Sequence, residues 1–259
     1  MYTHPYFKDP KIAGKIQVFV FSCQSENSKR RRQACAETWM PKLPSDFFES
    51  RFVVGNPKLP VESRLDGNIL TLRCSDTYGG LPQKTKAVMQ YALKMDYKFI
   101  IKCDDDTYIH PHRITRIPII AHDICARWTT GLQPFPSSIW FPLGAFYSMS
   151  QHFMKTIYPF YQTYDGGEDW MIGKAMVDCH IPLDKYGTDL INPWGFDLNG
   201  STCVGHWIDP NRMRKLNRLA HTNFFADQKD IKTQQQVRLD RLRKSGAATN
   251  CQSYAKTHI

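Results

Sequence analysis

Apolar runs and polar breaks alternate along the first 110 residues in an order that predicts strands and helices by turns. Residues 15 to 21 are almost continuously apolar and read as a buried strand. Residues 32 to 39 then place small and apolar positions at helical spacing. Residues 51 to 55 and 68 to 72 predict two more strands, the first ending at Gly55. Gly79, Gly80 and Pro82 punctuate the chain before a helix over 84 to 93, which stacks Ala87, Val88, Tyr91 and Ala92 on one face. Residues 98 to 103 give a further buried strand.

This order predicts an α/β domain with a mainly parallel central sheet flanked by helices. In such sheets ligands bind beyond the carboxyl ends of the strands. Later the pattern loosens. Residues 112 to 126 suggest a helix weakened by Pro118, and 140 to 149 suggest a strand. A helix is expected to open at Gly166-Gly167-Glu168-Asp169 and run through Met176. Residues 227 to 244, rich in Lys, Arg and Gln, suggest an exposed helix or tail.

At 259 residues the chain has room for one sizeable core. The expected layout is a single domain over 1–259, with a nucleotide-binding half over about 12–110, an acceptor half over about 111–225 and a basic C-terminal helix or tail over 226–259. No run of 18 apolar residues exists, so no transmembrane span is expected. The first ten residues lack the apolar core of a signal peptide. If Met1 is the natural start, a soluble cytoplasmic protein is expected; if a signal-anchor was trimmed, a Golgi lumenal one. The net charge of +10 favours anionic partners, from nucleotide diphosphates to membrane surfaces. The basic block at Lys29 to Arg32 is too short to argue for nucleic acid. The eight cysteines contain no Cys-x-x-Cys pair, which argues against a zinc site, and mostly reduced thiols are expected.

The strongest chemical signal lies at residues 98 to 109. An apolar strand runs straight into Asp104, Asp105 and Asp106, and Tyr108 and Ile109 follow at once. Like charges at the end of a core strand repel one another and resist desolvation. A divalent cation relieves both costs, and hard oxygen ligands suit Mg²⁺ or Mn²⁺ carrying a substrate phosphate. An isolated acid triplet also suits a solvated turn or a calcium loop. Here the flanks are apolar, and no glycine stands two residues beyond Asp106 as an EF-hand loop requires. The second signal is Glu168-Asp169 after two glycines. Acids in a first helical turn often serve only the helix dipole; a carboxylate here also suits a general base acting on a hydroxyl. Lys84 suits a phosphate contact or an ordinary solvated lysine, and His206 suits a core position or a metal ligand.

These segments together resemble glycosyltransferase family 31, the β-1,3-glycosyltransferase and Fringe group. Arg31-Arg-Gln-Ala-Cys-Ala-Glu-Thr-Trp39 is similar to its Arg-Arg-x-Ala-x-x-x-Thr-Trp motif. Tyr78-Gly-Gly-Leu-Pro-Gln-Lys-Thr85 is similar to its Tyr-x-Asn-Leu-x-x-Lys-Thr motif, and Lys102-Cys-Asp-Asp-Asp-Thr-Tyr108 to its metal motif. Residues 141 to 150 resemble its glycine-rich strand, and Glu168-Asp-Trp-Met-Ile-Gly173 its Glu-Asp-Val-x-x-Gly motif. The matches fall in order over about residues 15 to 210. Ala36, Gly80, Trp170 and the glycine-poor stretch around Leu143 depart from the pattern, so sugar preference does not transfer.

The resemblance implies a GT-A fold, a UDP-sugar donor, Mn²⁺ or Mg²⁺ as cofactor, and inversion at the anomeric carbon. It implies Asp106 as metal ligand, with His206 as a second and His221 as its fallback. Asp104 and Asp105 would lie near metal and ribose, Arg32 and Lys84 in the donor pocket, and Asp169 would be the base. The implied partners are a nucleotide-sugar donor and a glycan or glycoprotein acceptor. Two rivals stand beside this reading: a metal-dependent nucleotidyl- or phosphotransferase, and a non-catalytic glycan-binding module using Trp140, Trp194 and Trp207.

Overall fold

The computed structural model describes residues 16–130, 139–164, 167–182, 190–192, 195–196 and 202–220. The chain divides into two compact units, residues 1–217 and 218–259. The second is described only over 218–220, so the expected tail at 226–259 lies outside the described residues, as do His221, Trp194 and Gly166.

A seven-stranded sheet organises the first unit. Strand β1 (Ile16–Phe21) is buried at every position. It pairs in parallel with β2 (Phe48–Gly55) on one side and β5 (Phe99–Asp104) on the other. Next to β2 lies β4 (Ile69–Leu72), also parallel, so four central strands share one direction. Both margins run antiparallel: β3 (Ser63–Asp66) pairs with β4, while β8 (Phe141–Ser150) pairs with β5 and carries β7 (Ile124–Thr129) outside it. The order is β3-β4-β2-β1-β5-β8-β7. The parallel character inferred from the apolar runs therefore holds for the fully buried centre, as burial on both faces dictates.

Alternate residues of β1 feed two cores. Ile16, Val18 and Val20 pack with Ala34, Cys35 and Trp39 beneath α1 (Glu26–Glu37). Phe19 and Phe21 pack with Val88, Met89 and Ala92 of α2 (Leu81–Lys94). The same second core takes up α3 (Gln151–Ile157) and α4 (Glu168–Asp178) through Phe153, Ile172 and Met176. Helix α1 starts where Ser25 caps the N–H of Ser28. The first turn of α2 contains Pro82, which gives up only an N–H that would have had no helical partner.

Two segments depart from the sequence reading. The helix expected over 112–126 is replaced by single 3₁₀ turns at Ile114–Arg116 and Ile119–Ala121, followed by β7. Pro118 is the cause: it lacks an N–H, and it holds the preceding Ile117 in the extended region at φ −77°, ψ 124°. Strand β3 was not expected, because its side chains are mostly solvated and carry no apolar signature. It is joined to β4 through Gly67 at φ +58°, a left-handed turn position suited to glycine.

A second, three-stranded sheet forms from β6 (Tyr108–Ile109), β9 (Ile191–Asn192) and β10 (Val204–Gly205), in the order β6-β10-β9. Its pairing of Val204 with Ile109 and of Gly205 with Tyr108 brings a distant loop alongside the acid triplet.

Candidate active site

The carboxyl ends of β1 and β5 lie side by side, and the chain leaves β1 toward β2 but reaches β5 through α2. Such a reversal of strand order opens a crevice at the strand ends. A cleft of about 540 Å³ lies there, lined among others by Ser22, Arg31, Tyr78, Lys84, Asp169 and Trp207.

The pleat of β5 sorts the three acids. Ile100, Lys102 and Asp104 share one face, while Ile101, Cys103 and Asp105 share the other. Asp105 therefore turns toward α1. Its carboxylate accepts from Ser22 Oγ at 2.8 Å and from Arg31 at 3.2 Å, and it is 4% exposed. Burial pushes its pKa up, against the pull of Ser22 and Arg31. Asp104 faces the opposite way, and Asp106, past the strand end, turns toward the small sheet.

That sheet supplies His206. Its Nε2 lies 3.0 Å from Asp106 Oδ1 and 3.5 Å from Asp104 Oδ2. Ligand atoms of Asp104, Asp106 and His206 all fall within 4.8 Å of one another. Two carboxylates and an imidazole at this spacing fit a divalent cation of the Mn²⁺ or Mg²⁺ type, and the repulsion between the carboxylates is what such an ion relieves. Burial would raise the Asp106 pKa, but contact with His206 and the charge of Arg31 hold it below the usual range. For Asp104 burial prevails and the pKa is raised, although Lys102 opposes it.

Lys102 is buried at the centre of the site. Its Nζ lies 2.7 Å from Asp104 Oδ1 and 2.7 Å from Glu168 Oε1, and it donates to the carbonyl of Gly144. Its ammonium lies 5.2 Å from the centre of the Phe21 ring and 5.6 Å from that of Tyr147. Burial alone would discharge it, yet Asp104 and Glu168 hold its pKa well above the ordinary lysine value.

Asp169 begins α4 beside Glu168. Its Oδ2 accepts from the N–H of Gly144 at 3.0 Å and its Oδ1 from the N–H of Trp170 at 2.8 Å. Burial, reinforced by the neighbouring Glu168 charge, pushes its pKa up to about 7. A carboxylate poised there exchanges protons near neutrality, as a general base requires.

Of the other residues expected in the site, Lys84 lines the cleft but is 2% exposed. It donates to the Ser22 carbonyl at 2.6 Å and to Asp76 at 2.8 Å. Asp76 in turn accepts from the N–H groups of Gly55 and Gln24. Together they tie the ends of β1 and β2 to the loop before α2. Arg32 does not reach the cleft: it donates to Ser22 Oγ at 2.8 Å and to the Cys23 carbonyl. Successive helix residues point about 100° apart, so its neighbour Arg31 lines the cleft instead. Asp76, Lys102 and Gly144 were not singled out from the sequence, and Arg31 only as part of the basic block at 29 to 32. Lys102 carried a signal, since it stands two residues before Asp104 on one strand and so must share its face. Cys23, Cys35, Cys74, Cys103 and Cys179 are free thiols, and no described helix is long and apolar enough to cross a membrane.

An acid cluster with a histidine at the end of a parallel strand, lining one cleft with a half-buried carboxylate, suits a cation-bound diphosphate with a proton acceptor beside it. In comparison with known proteins, residues 30–127 match the family described as Galactosyltransferase. This match supports a likeness to glycosyltransferase family 31 over residues 30–127. Probable beta-1,3-galactosyltransferase 13 of Arabidopsis thaliana is 31% identical over 117 residues, covering 39% of this chain and 34% of that protein. Hydroxyproline O-galactosyltransferase GALT5 of the same plant is 29% identical over 106 residues, covering 37% of this chain and 16% of that protein. Hydroxyproline O-galactosyltransferase GALT2 is 30% identical over 121 residues, covering 42% and 18% respectively. The chain thus spans about a third or less of the length of these relatives.

Proposed function

We propose that this chain is a metal-dependent inverting glycosyltransferase that moves a sugar, most simply galactose, from a UDP-sugar to a hydroxyl of a glycan or of a hydroxyproline-bearing protein. The observation that carries this reading is the convergence of Asp104, Asp106 and His206 on one point of the cleft that Asp169 also lines. The galactosyltransferase relatives favour galactose as the donor sugar and hydroxyproline as one acceptor class. Residues before about 110 would hold the donor, and those after it the acceptor.

Asp104, Asp106 and His206 would hold the divalent cation, whose charge neutralises a departing diphosphate. Asp169 accepts the proton of the acceptor hydroxyl. The freed oxygen lone pair forms the new bond to the anomeric carbon as the bond to UDP breaks, and the bonding pair leaves with UDP. Attack from the face opposite UDP inverts the anomeric centre. A base so placed contributes roughly 10²–10⁴-fold. Arg31, within 3.5 Å of Asp106, adds positive charge at the donor end.

The test is UDP release from UDP-galactose with a hydroxyproline peptide, with Mn²⁺ and with chelator, and anomeric configuration read by NMR. Calorimetry with UDP runs beside it. Metal-dependent binding, UDP release and an inverted product are expected. Equal UDP affinity in chelator, or release of a nucleoside monophosphate instead of UDP, would defeat the reading.

A further inference from the structure

We infer that Lys102 and Gly144 are a positioning pair that fixes the spacing between the cation-side carboxylate Asp104 and the base Asp169. The inference rests on the function proposed above. A continuous line of contacts joins the two acids. Asp104 Oδ1 meets Lys102 Nζ at 2.7 Å, Lys102 donates to the carbonyl of Gly144, and the N–H of that same Gly144 donates to Asp169 Oδ2 at 3.0 Å. One residue of β8 therefore offers its acceptor to the donor end of the site and its donor to the acceptor end. Glu168 braces the line from the side, 2.7 Å from Lys102.

Two features make this line rigid. Lys102 is 2% exposed and wedged over the Phe21 and Tyr147 rings, so its ammonium has no solvent-facing alternative. Position 144 has no room for a side chain: a Cβ there would stand 3.0 Å from Glu168 Oε1 and 3.1 Å from Asp169 Oδ2. Any other residue must push both carboxylates away by a few tenths of an ångström. The backbone at 144 is not in the left-handed region, so the glycine serves this close approach rather than a turn. Displacements of this order at a reacting group cost rate without costing binding.

The experiment compares wild type, Gly144→Ala and the charge-balanced Lys102→Met/Glu168→Gln variant. The double variant removes one buried cation and one buried anion together, which leaves the net charge of the site unchanged and Asp104 beside His206. Mn²⁺ binding is read by loss of the free-ion spin-resonance signal, with no donor present. Turnover is read as UDP release from UDP-galactose, with a hydroxyproline peptide or with water as acceptor. For Gly144→Ala we expect Mn²⁺ affinity and donor KM within about threefold of wild type and kcat lower by at least about tenfold. The double variant is expected to fold and to lose kcat by a similar factor. Wild-type kcat in either variant, once thermal unfolding shows it folded, overturns the inference. So does a rise in donor KM that accounts for the whole loss. A wild-type protein that binds no Mn²⁺ and releases no UDP defeats the proposed function instead, and this inference with it.

Discussion

Replacing Asp169 by Asn separates chemistry from stability, because the same burial that tunes the group also costs the fold. The carboxyl titrates near 7 in the folded chain against an ordinary value of 3.8. Between those values the native state holds a proton that the unfolded state has released, so stability is highest below the window and is lost as pH rises through it. Each pH unit there costs about 1.4 kcal/mol, and moving from pH 5 to pH 7 removes roughly 2 to 3 kcal/mol through this group. Asn cannot ionise and has no such slope. It does carry a constant penalty, since its single carbonyl can serve only one of the N–H groups of Gly144 and Trp170; that penalty is about 1 to 3 kcal/mol and independent of pH.

The prediction is therefore differential. Urea unfolding in chelator should show Asp169→Asn gaining roughly 2 to 3 kcal/mol on wild type between pH 5 and pH 7, whatever its offset at either pH. Transfer should fall by at least about 10²-fold while Mn²⁺-UDP affinity stays within a few-fold. In wild type the rate should climb with pH through about 7, as the base loses its proton. Parallel stability profiles would refute the burial argument. Transfer at near wild-type rate would remove Asp169 as the base and make Glu168 the candidate.

Asp106→Ala should lower Mn²⁺ affinity by at least about tenfold with little change in the thermal midpoint, since the side chain lies beyond the strand; unchanged Mn²⁺ binding would take Asp106 out of the cation site. Lys84→Met should destabilise the fold by about 3 to 5 kcal/mol in urea unfolding, because it strands the Asp76 charge. A loss below about 1 kcal/mol, of the size of an exposed pair, would show that Lys84 is not the clamp its contacts describe.

Much of this was legible in the chain. Strands β1 and β5 are largely apolar runs, broken by Gln17 and by Lys102, and charges at the end of such a run are costly enough to suggest a ligand. What escaped was set by contacts far apart in sequence. A lysine two residues before Asp104 signals a shared face but not its burial; Glu168, 66 residues on, supplies the second anion that keeps Lys102 charged there. His206 was named as a ligand through the family resemblance alone, because it reaches Asp106 through two-residue strands too short to carry a periodic pattern. The isoleucines at 114, 117, 119 and 120 mimic helical spacing, but Pro118 among them decides the outcome.

The charge on the cleft walls bears on where a cation would enter the proposed order of events. Among the described residues, Asp76, Asp104, Asp105, Asp106, Glu168 and Asp169 meet three cations: Arg31, Lys84 and the buried Lys102. Lys84 is matched to Asp76, Arg31 to Asp105 and Asp106, and Lys102 to Asp104 and Glu168. The walls are thus three charges short of neutral. A proton on Asp169 supplies one, and a divalent ion supplies the other two. The net charge of +10 draws anions toward the protein as a whole, but at short range an acidic wall repels a diphosphate. If the cleft takes a nucleotide diphosphate, as proposed, attraction from afar and rejection at contact are reconciled when the ion enters before, or together with, the nucleotide. On that reading the wall charges favour a cation before any contact with the sugar is considered.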